Sequence, residues 1–229
     1  LLPAVAAVVR LDELEVIDHH DLDVVLPLQP AGVGGDAQHA LGRRGSVGFL
    51  GTAVVRNLRT PGLTSLLVDR ALVGGVDGHF FLDPKRGWVV SGGLSGSTVA
   101  GSQASVLRVQ RAAPRYYQRP DAPHVSVDPA ATSLSGWSGR LGLNKNRGNV
   151  TFNAGLWGIS PGFEPNDLGF ATQTDRGGAH GQVVFRKLTP DAWTRSRRLS
   201  VAKWWTFNYG RESQGDGVAV AFGGQLRNY

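Results

Sequence analysis

Residues 136–157 read GWSGRLGLNKNRGNVTFNAGLW. Before the turn at 145–149, every second residue is apolar or glycine: Trp137, Gly139, Leu141 and Leu143. After the turn the same alternation resumes with Val150, Phe152, Ala154 and Leu156. Successive side chains of a β-strand point to opposite faces, so this pattern predicts strands with one apolar and one polar face. The stretch therefore predicts an antiparallel hairpin closed by a short turn.

The same alternation recurs along the chain from about Ser46 to the end. It is strong in three further segments: Trp88–Gly101, Leu199–Tyr209 and Val218–Asn228. It is weaker in three others: Val47–Arg56, Thr64–Leu82 and His180–Leu188. Together these segments predict an all-β, antiparallel, up-and-down sheet of about eight strands.

The predicted connections alternate in length. The turns 83–87 and 145–149 are tight and 189–195 is only a little longer, whereas the links 102–132 and 161–175 are long. Residues 103–112 fit one or two helical turns inside the first long link. Short turns at one rim and long loops at the other are typical of outer-membrane β-barrels.

Composition is compatible with a membrane-spanning sheet. The chain contains no run of eighteen apolar residues that would form a transmembrane helix. A spanning β-strand needs only about 9–11 alternating residues. Several predicted strands carry Trp or Tyr near one end, as at a membrane interface. We therefore predict a transmembrane β-barrel region over residues 45–229, present as a partial, open sheet that needs further strands. A soluble β-sandwich, with these aromatics in its core, is the alternative.

Residues 1–44 lack sustained alternation and are predicted to be irregular or poorly ordered. They carry seven acidic and three basic side chains, against eleven acidic and twenty-one basic side chains in residues 45–229. Three interpretations stay open for this segment: a leader, a plug-like segment, or translation in a wrong reading frame. Residues 11–20 fit either a short helix or a strand. The run Asp18–Asp23 contains two histidines but has no supporting metal-site pattern.

The basic excess is scattered over turns and strand ends, and no nucleic-acid-binding motif accompanies it. Lipid, lipopolysaccharide or an anionic solute suits such a scatter better, so no nucleic-acid partner is expected. Cysteine is absent, which excludes disulfides and thiolate chemistry. No cofactor is expected.

Three stretches carry a family resemblance: SLSGWSGRLGLNKNRGN (133–149), RYYQRPDA (115–122) and SPGFEPNDLGFATQTD (160–175). In these stretches the chain resembles the barrel region of the DUF5916 family of bacterial outer-membrane proteins. Proteins of that family usually carry an N-terminal domain like family 9 carbohydrate-binding modules. The resemblance implies location in the bacterial outer membrane and a role in carbohydrate binding or uptake, although the biochemical role of the family is unsettled.

Two sets of residues are candidates for a site. The first is predicted to bind a ligand, because tyrosine stacks on sugars and arginine pairs with acidic groups; it comprises Arg115, Tyr116, Tyr117, Arg119 and Asp121. The second could bind a hard cation such as Ca²⁺ through carboxylate oxygens; it comprises Glu164, Asp167 and Asp175. Both sets have a structural alternative, in which the aromatics anchor the loop and the carboxylates begin turns or cap a strand.

The sequence shows no catalytic constellation. No G-x-S-x-G element precedes a helix, and the glycine pairs lack the GK[ST] of a phosphate loop. Three functions therefore stay open: an outer-membrane binding or uptake protein, a surface polysaccharide hydrolase with loop carboxylates as acid and base, and a soluble carbohydrate-binding β-sandwich.

Overall fold

The computed structural model describes residues 32–167 and 169–228, which form one antiparallel sheet with two short helices in its connections. The strands are β1 (Gly32–Ala40), β2 (Gly45–Val55), β3 (Arg70–Phe81), β4 (Trp88–Ala100), β5 (Ser133–Lys145), β6 (Val150–Ile159), β7 (Arg176–Lys187), β8 (Thr194–Phe207) and β9 (Ser213–Leu226). The helices are α1 (Pro61–Leu66) and α2 (Gln103–Arg111). No helix in these residues is long and apolar enough to cross a membrane.

Each strand pairs with the next along the chain, which confirms the predicted all-β, up-and-down topology. The described strands do not close into a ring, since β1 and β9 each pair with one neighbour only. The structure has nine strands rather than the predicted eight or so. The additional strand is β1, which pairs with β2 over its whole length. Its glycine-rich sequence supplies backbone hydrogen bonds but little alternation of side chains.

One predicted strand is wrong. Residues 64–82 were predicted to be a single extended segment, but 61–66 form α1 and the strand starts at Arg70. Pro61 occupies the first turn of α1, where its fixed φ favours a helix and its missing N–H costs nothing. The N–H of Leu67 donates to the carbonyl of Leu63 at 2.9 Å and completes the turn. The residues 1–31, including the possible element at 11–20 and the Asp18–Asp23 run, lie outside the described part of the chain.

The connections separate into two rims. The short-turn rim contains 41–44, 82–87, 146–149 and 188–193, and the long-loop rim contains 56–69, 101–132, 160–175 and 208–212. The predicted alternation of short and long connections is confirmed, except that the last long-rim connection is itself short. The predicted helical turns in the second long loop are α2, whose first turn is capped by the Ser102 hydroxyl accepting from the Ser105 N–H at 3.1 Å.

The pairing register assigns every side chain to one of two faces. Residues directly opposite each other share a face, so the rows of partners can be followed across the sheet. One such row joins Leu141, Leu156, Ala179 and Trp205. The apolar face defined in this way carries exposed large side chains across β2–β9, among them Phe49, Leu72, Val76, Leu94, Trp137, Leu141, Leu156, Phe185, Val201, Trp205, Val220 and Phe222.

The opposite, polar face carries mostly small and hydrophilic side chains: Ser46, Asp77, Ser91, Ser95, Ser138, Arg140, Asn144, Asn153, His180, Gln182 and Ser200. Asn153 connects three of its strands, because its amide donates to Asn144 and its oxygen lies 2.7 Å from His180 Nε2. Glycines on this face accommodate rings from the neighbouring strand, as where the Trp157 indole lies over Gly178. The alternation that predicted two unlike faces is therefore confirmed.

The long loops pack against the polar face and leave the apolar face uncovered. A small buried cluster joins Val54, Ala71 and Val99 of the sheet to Val68 of the first loop. The third loop crosses β5 so closely that a Cβ on Gly136 would lie 2.1 Å from the Phe163 nitrogen. The loops therefore form a cap over one end of the polar face.

The close crossing at Gly136 predicts a large effect of a single methyl group. Gly136→Ala should lower the free energy of unfolding by about 1–3 kcal/mol, the usual cost of overpacking, because strand or loop must move. Gly74→Ala is the matched control, since a Cβ there meets no atom within 4 Å. Urea unfolding of both variants measures the difference, and equal stabilities would show that the cap does not pack on β5.

Candidate functional site

Three arginine–carboxylate pairs join the long loops to one another. Arg56 of the first loop pairs with Asp167 of the third. Two arginines of the second loop pair with further carboxylates of the third: Arg115 with Glu164, and Arg119 with Asp175. Each pair therefore fixes the third loop to a different point on the cap.

The Arg115–Glu164 pair is the most deeply buried of the three. The Arg115 side chain is fully buried, and its Nη1 lies 2.5 Å from Glu164 Oε2 while its Nη2 donates to the Phe163 carbonyl. Burial lowers the pKa of the Arg115 guanidinium from its ordinary value, and Glu164 opposes that shift. Burial likewise raises the pKa of the Glu164 carboxyl, against the influence of Arg115. Each charge therefore depends on the other to remain in the interior.

Backbone contacts hold Glu164 in place on the sheet. Its N–H donates to the Ser97 hydroxyl at 2.7 Å, and its Oε1 accepts from the Asn166 N–H at 2.7 Å. Ser97 lies on the polar face near the end of β4. The pair thus joins the second loop, the third loop and the sheet at one position.

Asp175 is the second centre of the cap. It is fully buried, directly precedes β7, and has a φ of 55°, a conformation that aspartate tolerates better than most residues. Its carboxylate accepts from Arg119, from the Tyr209 N–H at 3.1 Å, and lies 2.8 Å from His124 Nε2. Donors from the second and fourth loops therefore meet on one carboxylate of the third.

The second loop is anchored internally as well. Gln110 of α2 is buried and makes two hydrogen bonds to the backbone of Asp128, at 2.9 and 2.7 Å. Tyr117 is also buried, and burial raises its pKa to about 12. These contacts fold the loop back on α2.

The predicted ligand-binding residues divide into two groups. Arg115 and Tyr117 are buried and Arg119 is engaged with Asp175, whereas Tyr116 and Asp121 are exposed to solvent. Ligand binding by this set stays a prediction, with Tyr116 and Asp121 as its accessible members.

The three predicted cation ligands do not converge. Glu164, Asp167 and Asp175 each pair with a different arginine. Within the described residues there is no group of three or more acidic or histidine side chains arranged to hold a metal ion. Each of the three carboxylates therefore already has an arginine as its counter-charge, and cation binding by this set stays a prediction.

Sequence reasoning missed Arg56, Ser97, His124 and Tyr209 as members of this cap. Each contacts its partner across a large separation, up to 111 residues for Arg56 and Asp167. No spacing rule connects such positions. Along the chain, the one indication of such contacts was the presence of hydrogen-bonding side chains in the loops.

Two open grooves border the cap. One, of about 410 Å³, is lined at the first loop by residues that include Arg56, Thr64 and Asp69. The other, of about 590 Å³, has Trp137, Leu141, Leu156, Phe207 and Tyr209 in its lining. The lining of the first groove is part polar and part apolar, and that of the second is mainly apolar.

The comparisons with known proteins identify a family but no characterised relative. Residues 96–221 match the family model described as a domain of unknown function, DUF5916. No curated protein and no solved structure matches the chain. The matched range runs from β4 into β9 and includes all three carboxylates of the arginine pairs.

The buried pair predicts a strong and pH-dependent effect of removing one partner. Arg115→Leu should lower the free energy of unfolding by about 3–5 kcal/mol at neutral pH, because it leaves the Glu164 carboxylate buried without a counter-charge. The loss should shrink as pH falls towards the raised pKa of Glu164, since protonation then removes the uncompensated charge. Denaturant titrations at several pH values measure both effects.

Two comparisons control this experiment. Arg111→Leu removes an exposed arginine of α2 and should change stability little. Replacing Arg115 and Glu164 together with leucine should recover most of the loss. If Arg115→Leu behaves like Arg111→Leu, the pair does not hold the cap.

Proposed function

Because the chain belongs to the DUF5916 family, whose barrel region it resembles, we propose that its sheet is part of the wall of an outer-membrane β-barrel that binds or takes up carbohydrate. One observation carries the proposal. The loops pack against the polar face, while the face that bears the large apolar side chains has no covering element among the described residues.

An uncovered apolar face of this size is unfavourable in water. Exposed contiguous apolar patches larger than a few hundred Å² usually mark a protein or membrane contact. Here eight strands contribute to one patch, and Leu94 and Leu156, near its middle, are 57% and 60% exposed. Hydrocarbon covers such a face without any specific partner, as on the outside of a membrane barrel.

The dimensions of the apolar face agree with a bilayer. On β5, Trp137 and Lys145 are eight residues apart, or about 26 Å along the strand at about 3.3 Å per residue. Lys145 lies 5.8 Å from the ring of Trp88 at one end, and Trp137 packs edge-on against Tyr209 at the other. Aromatic and basic side chains are favoured at the two interfaces, and an apolar band of about 25 Å separates them in known barrels.

Charges within the apolar face are confined to its border. On this face Lys145, Lys187 and Arg197 lie at or near the short-turn ends of their strands. The ion pair between two strand residues, Lys203 with Asp216, lies four and three residues from the long-loop ends of β8 and β9. The ammonium of Lys203 also lies 5.2 Å from the Trp205 ring. A paired charge beside an indole is suited to the interface rather than to the centre of a membrane.

The polar face supplies the chemistry for a solute. Its serine, asparagine, glutamine and histidine side chains can exchange hydrogen bonds with sugar hydroxyls. The cap covers the end of this face at the long-loop rim, where Tyr116 and Asp121 are exposed. The proposed path for a carbohydrate therefore runs along the polar face, with the cap at its entrance.

The proposal places one demand on the two edges of the sheet. The outer edges of β1 and β9 have no strand beside them among the described residues. Unpaired backbone groups cost several kcal/mol each in hydrocarbon. In the membrane both edges therefore need a pairing partner, either further strands or a second copy of this sheet.

Adjacent substitutions on opposite faces test whether lipid contacts the apolar face. Leu94→Lys, near the middle of β4, should lower the free energy of unfolding from phospholipid vesicles by about 2–4 kcal/mol, because it places a charge in hydrocarbon. Ser95→Lys is the matched control, since it puts the same charge on the polar face. Equal effects, or a chain that is monomeric and soluble without detergent, would contradict the membrane wall and favour a β-sandwich.

The carbohydrate role has a separate test at the exposed aromatic of the cap. Tyr116→Ala should weaken binding of a responsive polysaccharide between about twofold and tenfold, the usual range for a lost aromatic contact. Trp193→Ala removes an exposed ring at the opposite rim and should leave binding unchanged. Titration of a polysaccharide panel gives the affinities. The surface hydrolase would be favoured by two results together: hydrolysis of any member of that panel, and loss of that hydrolysis when Glu164 or Asp175 is replaced.

A further inference from the structure

The basic excess of the chain is concentrated at one rim. The short-turn rim, with the strand ends beside it, holds twelve basic side chains: Arg43, Arg44, Lys85, Arg86, Lys145, Arg147, Arg186, Lys187, Arg195, Arg197, Arg198 and Arg227. Its acidic side chains among the described residues are Asp83 and Asp191. The long-loop rim is nearly balanced, with nine basic and seven acidic side chains.

Both acidic residues of the short-turn rim are already engaged. Asp191 pairs with Lys187 at 2.8 Å and Arg197 at 3.4 Å. Hydrogen bonds from Lys187 and from the turn backbone hold the pKa of Asp191 below its ordinary range. Asp83 accepts from the Trp88 N–H at 2.7 Å. Two carboxylates therefore stand against twelve basic groups, which leaves this rim with a large net positive charge.

Five basic side chains in the turns of this rim or at the start of β8 are exposed and make no hydrogen bond or ion pair with another described residue: Arg43, Arg44, Lys85, Arg147 and Arg195. In addition, like charges lie directly opposite each other between β7 and β8, as Arg186 with Arg198 and Lys187 with Arg197. Directly opposed like charges destabilise a sheet. Asp191 offsets the repulsion of the second pair, whereas no carboxylate of the described residues pairs with Arg186 or Arg198.

The basic groups are placed at the border of the apolar face. Lys145 and Trp88 end that face on β5 and β4. Arg43 and Lys85, in the short turns, and Arg195, at the start of β8, lie at the same rim. Trp193, in the last of these turns, is 82% exposed. Basic residues mixed with indole rings at the edge of a membrane-spanning surface lie at the depth of lipid headgroups.

We propose that the short-turn rim is a docking surface for the phosphate groups of anionic phospholipids in the adjacent leaflet. The inference rests on the proposed membrane wall, which sets the depth of the rim. A nucleic acid would meet the same charge but gains nothing from the neighbouring apolar face. Anionic lipid satisfies the unpaired arginines and contacts the apolar border at the same time.

The test compares folding of the full chain from urea into two kinds of vesicle, one of phosphatidylcholine and one that also contains phosphatidylglycerol. The measured quantity is the anionic preference, the ratio of the two folding equilibrium constants from tryptophan fluorescence. Each basic side chain near an anionic surface contributes about fivefold. Glutamine at Arg43, Arg44, Lys85, Arg147 and Arg195 should therefore reduce the preference by at least about a hundredfold.

A matched variant carries glutamine at five exposed basic positions of the other rim: Arg59, Arg70, Arg108, Arg111 and Arg211. It has the same net charge and should retain most of the anionic preference. High salt should reduce the preference of the unsubstituted chain, because screening weakens exposed charge interactions. Should the five-site rim variant fail to fold, Arg147→Gln with Arg195→Gln, compared with Arg70→Gln and Arg211→Gln, makes the same measurement.

The outcomes separate the inference from the proposed function. An equal loss of anionic preference in both variants would show that net charge alone matters and would overturn the docking surface. No loss in either would overturn it as well. In both cases folding into phosphatidylcholine vesicles still supports the membrane wall, whereas failure to fold into them removes the wall and the docking surface together.

Discussion

An unbroken ladder of antiparallel backbone hydrogen bonds is the constraint on which the rest of the structure depends. It runs from β1 to β9 through eight strand pairs, with irregularities only between β8 and β9. Because side chains alternate with a period of two, a shift of one residue would exchange the faces of a strand. The observed register brings apolar residues opposite one another, as Val183, Val201 and Val220 show. The two unlike faces are a consequence of that register.

The ladder leaves the sheet with little interior of its own. The largest buried apolar cluster, around Val54 and Val99, lies under the loop cap rather than between two layers. Domains in water are normally built from packed layers that bury an apolar face. In this protein most of the large apolar side chains of the sheet have no protein layer to contact among the described residues. Their stabilisation must come from what surrounds the sheet, and this physical requirement underlies the proposed membrane location.

At the long-loop rim, the cap provides partners for the polar and charged groups of the loops. Long loops bring backbone polar groups and charged side chains close to the sheet, and these need partners inside the protein. Arg115 supplies them between the second and third loops, and Asp175 joins the third loop to the second and fourth. Buried ion pairs contribute little net stability but penalise any arrangement that separates them. They therefore specify how the loops fold over the polar face, at a rim where opposite charges nearly balance.

Sequence by itself determined the local and periodic features. Alternation in 136–157 predicted the hairpin of β5 and β6, and the turn chemistry predicted which connections are short. Both properties involve residues a few positions apart, so the chain displays them directly. Alternation did not predict β1, a glycine-rich strand that is held by backbone hydrogen bonds. It also did not predict α1, which begins at Pro61 within an apolar stretch. The predicted strand at 64–82 was wrong for that reason.

Only the tertiary structure decided which loop residues meet. Arg56 reaches Asp167, and His124 reaches Asp175, because the ladder brings the ends of distant strands to one rim. The sequence predicted the carboxylates of the third loop as cation ligands but contained no signal that each would meet an arginine. The gathering of basic residues on the opposite rim likewise depends on the fold, because small groups such as Arg43–Arg44, Lys85–Arg86 and Arg186–Lys187 lie far apart along the chain. Strand alternation is a local property, whereas the meeting of charges depends on the register of the whole sheet.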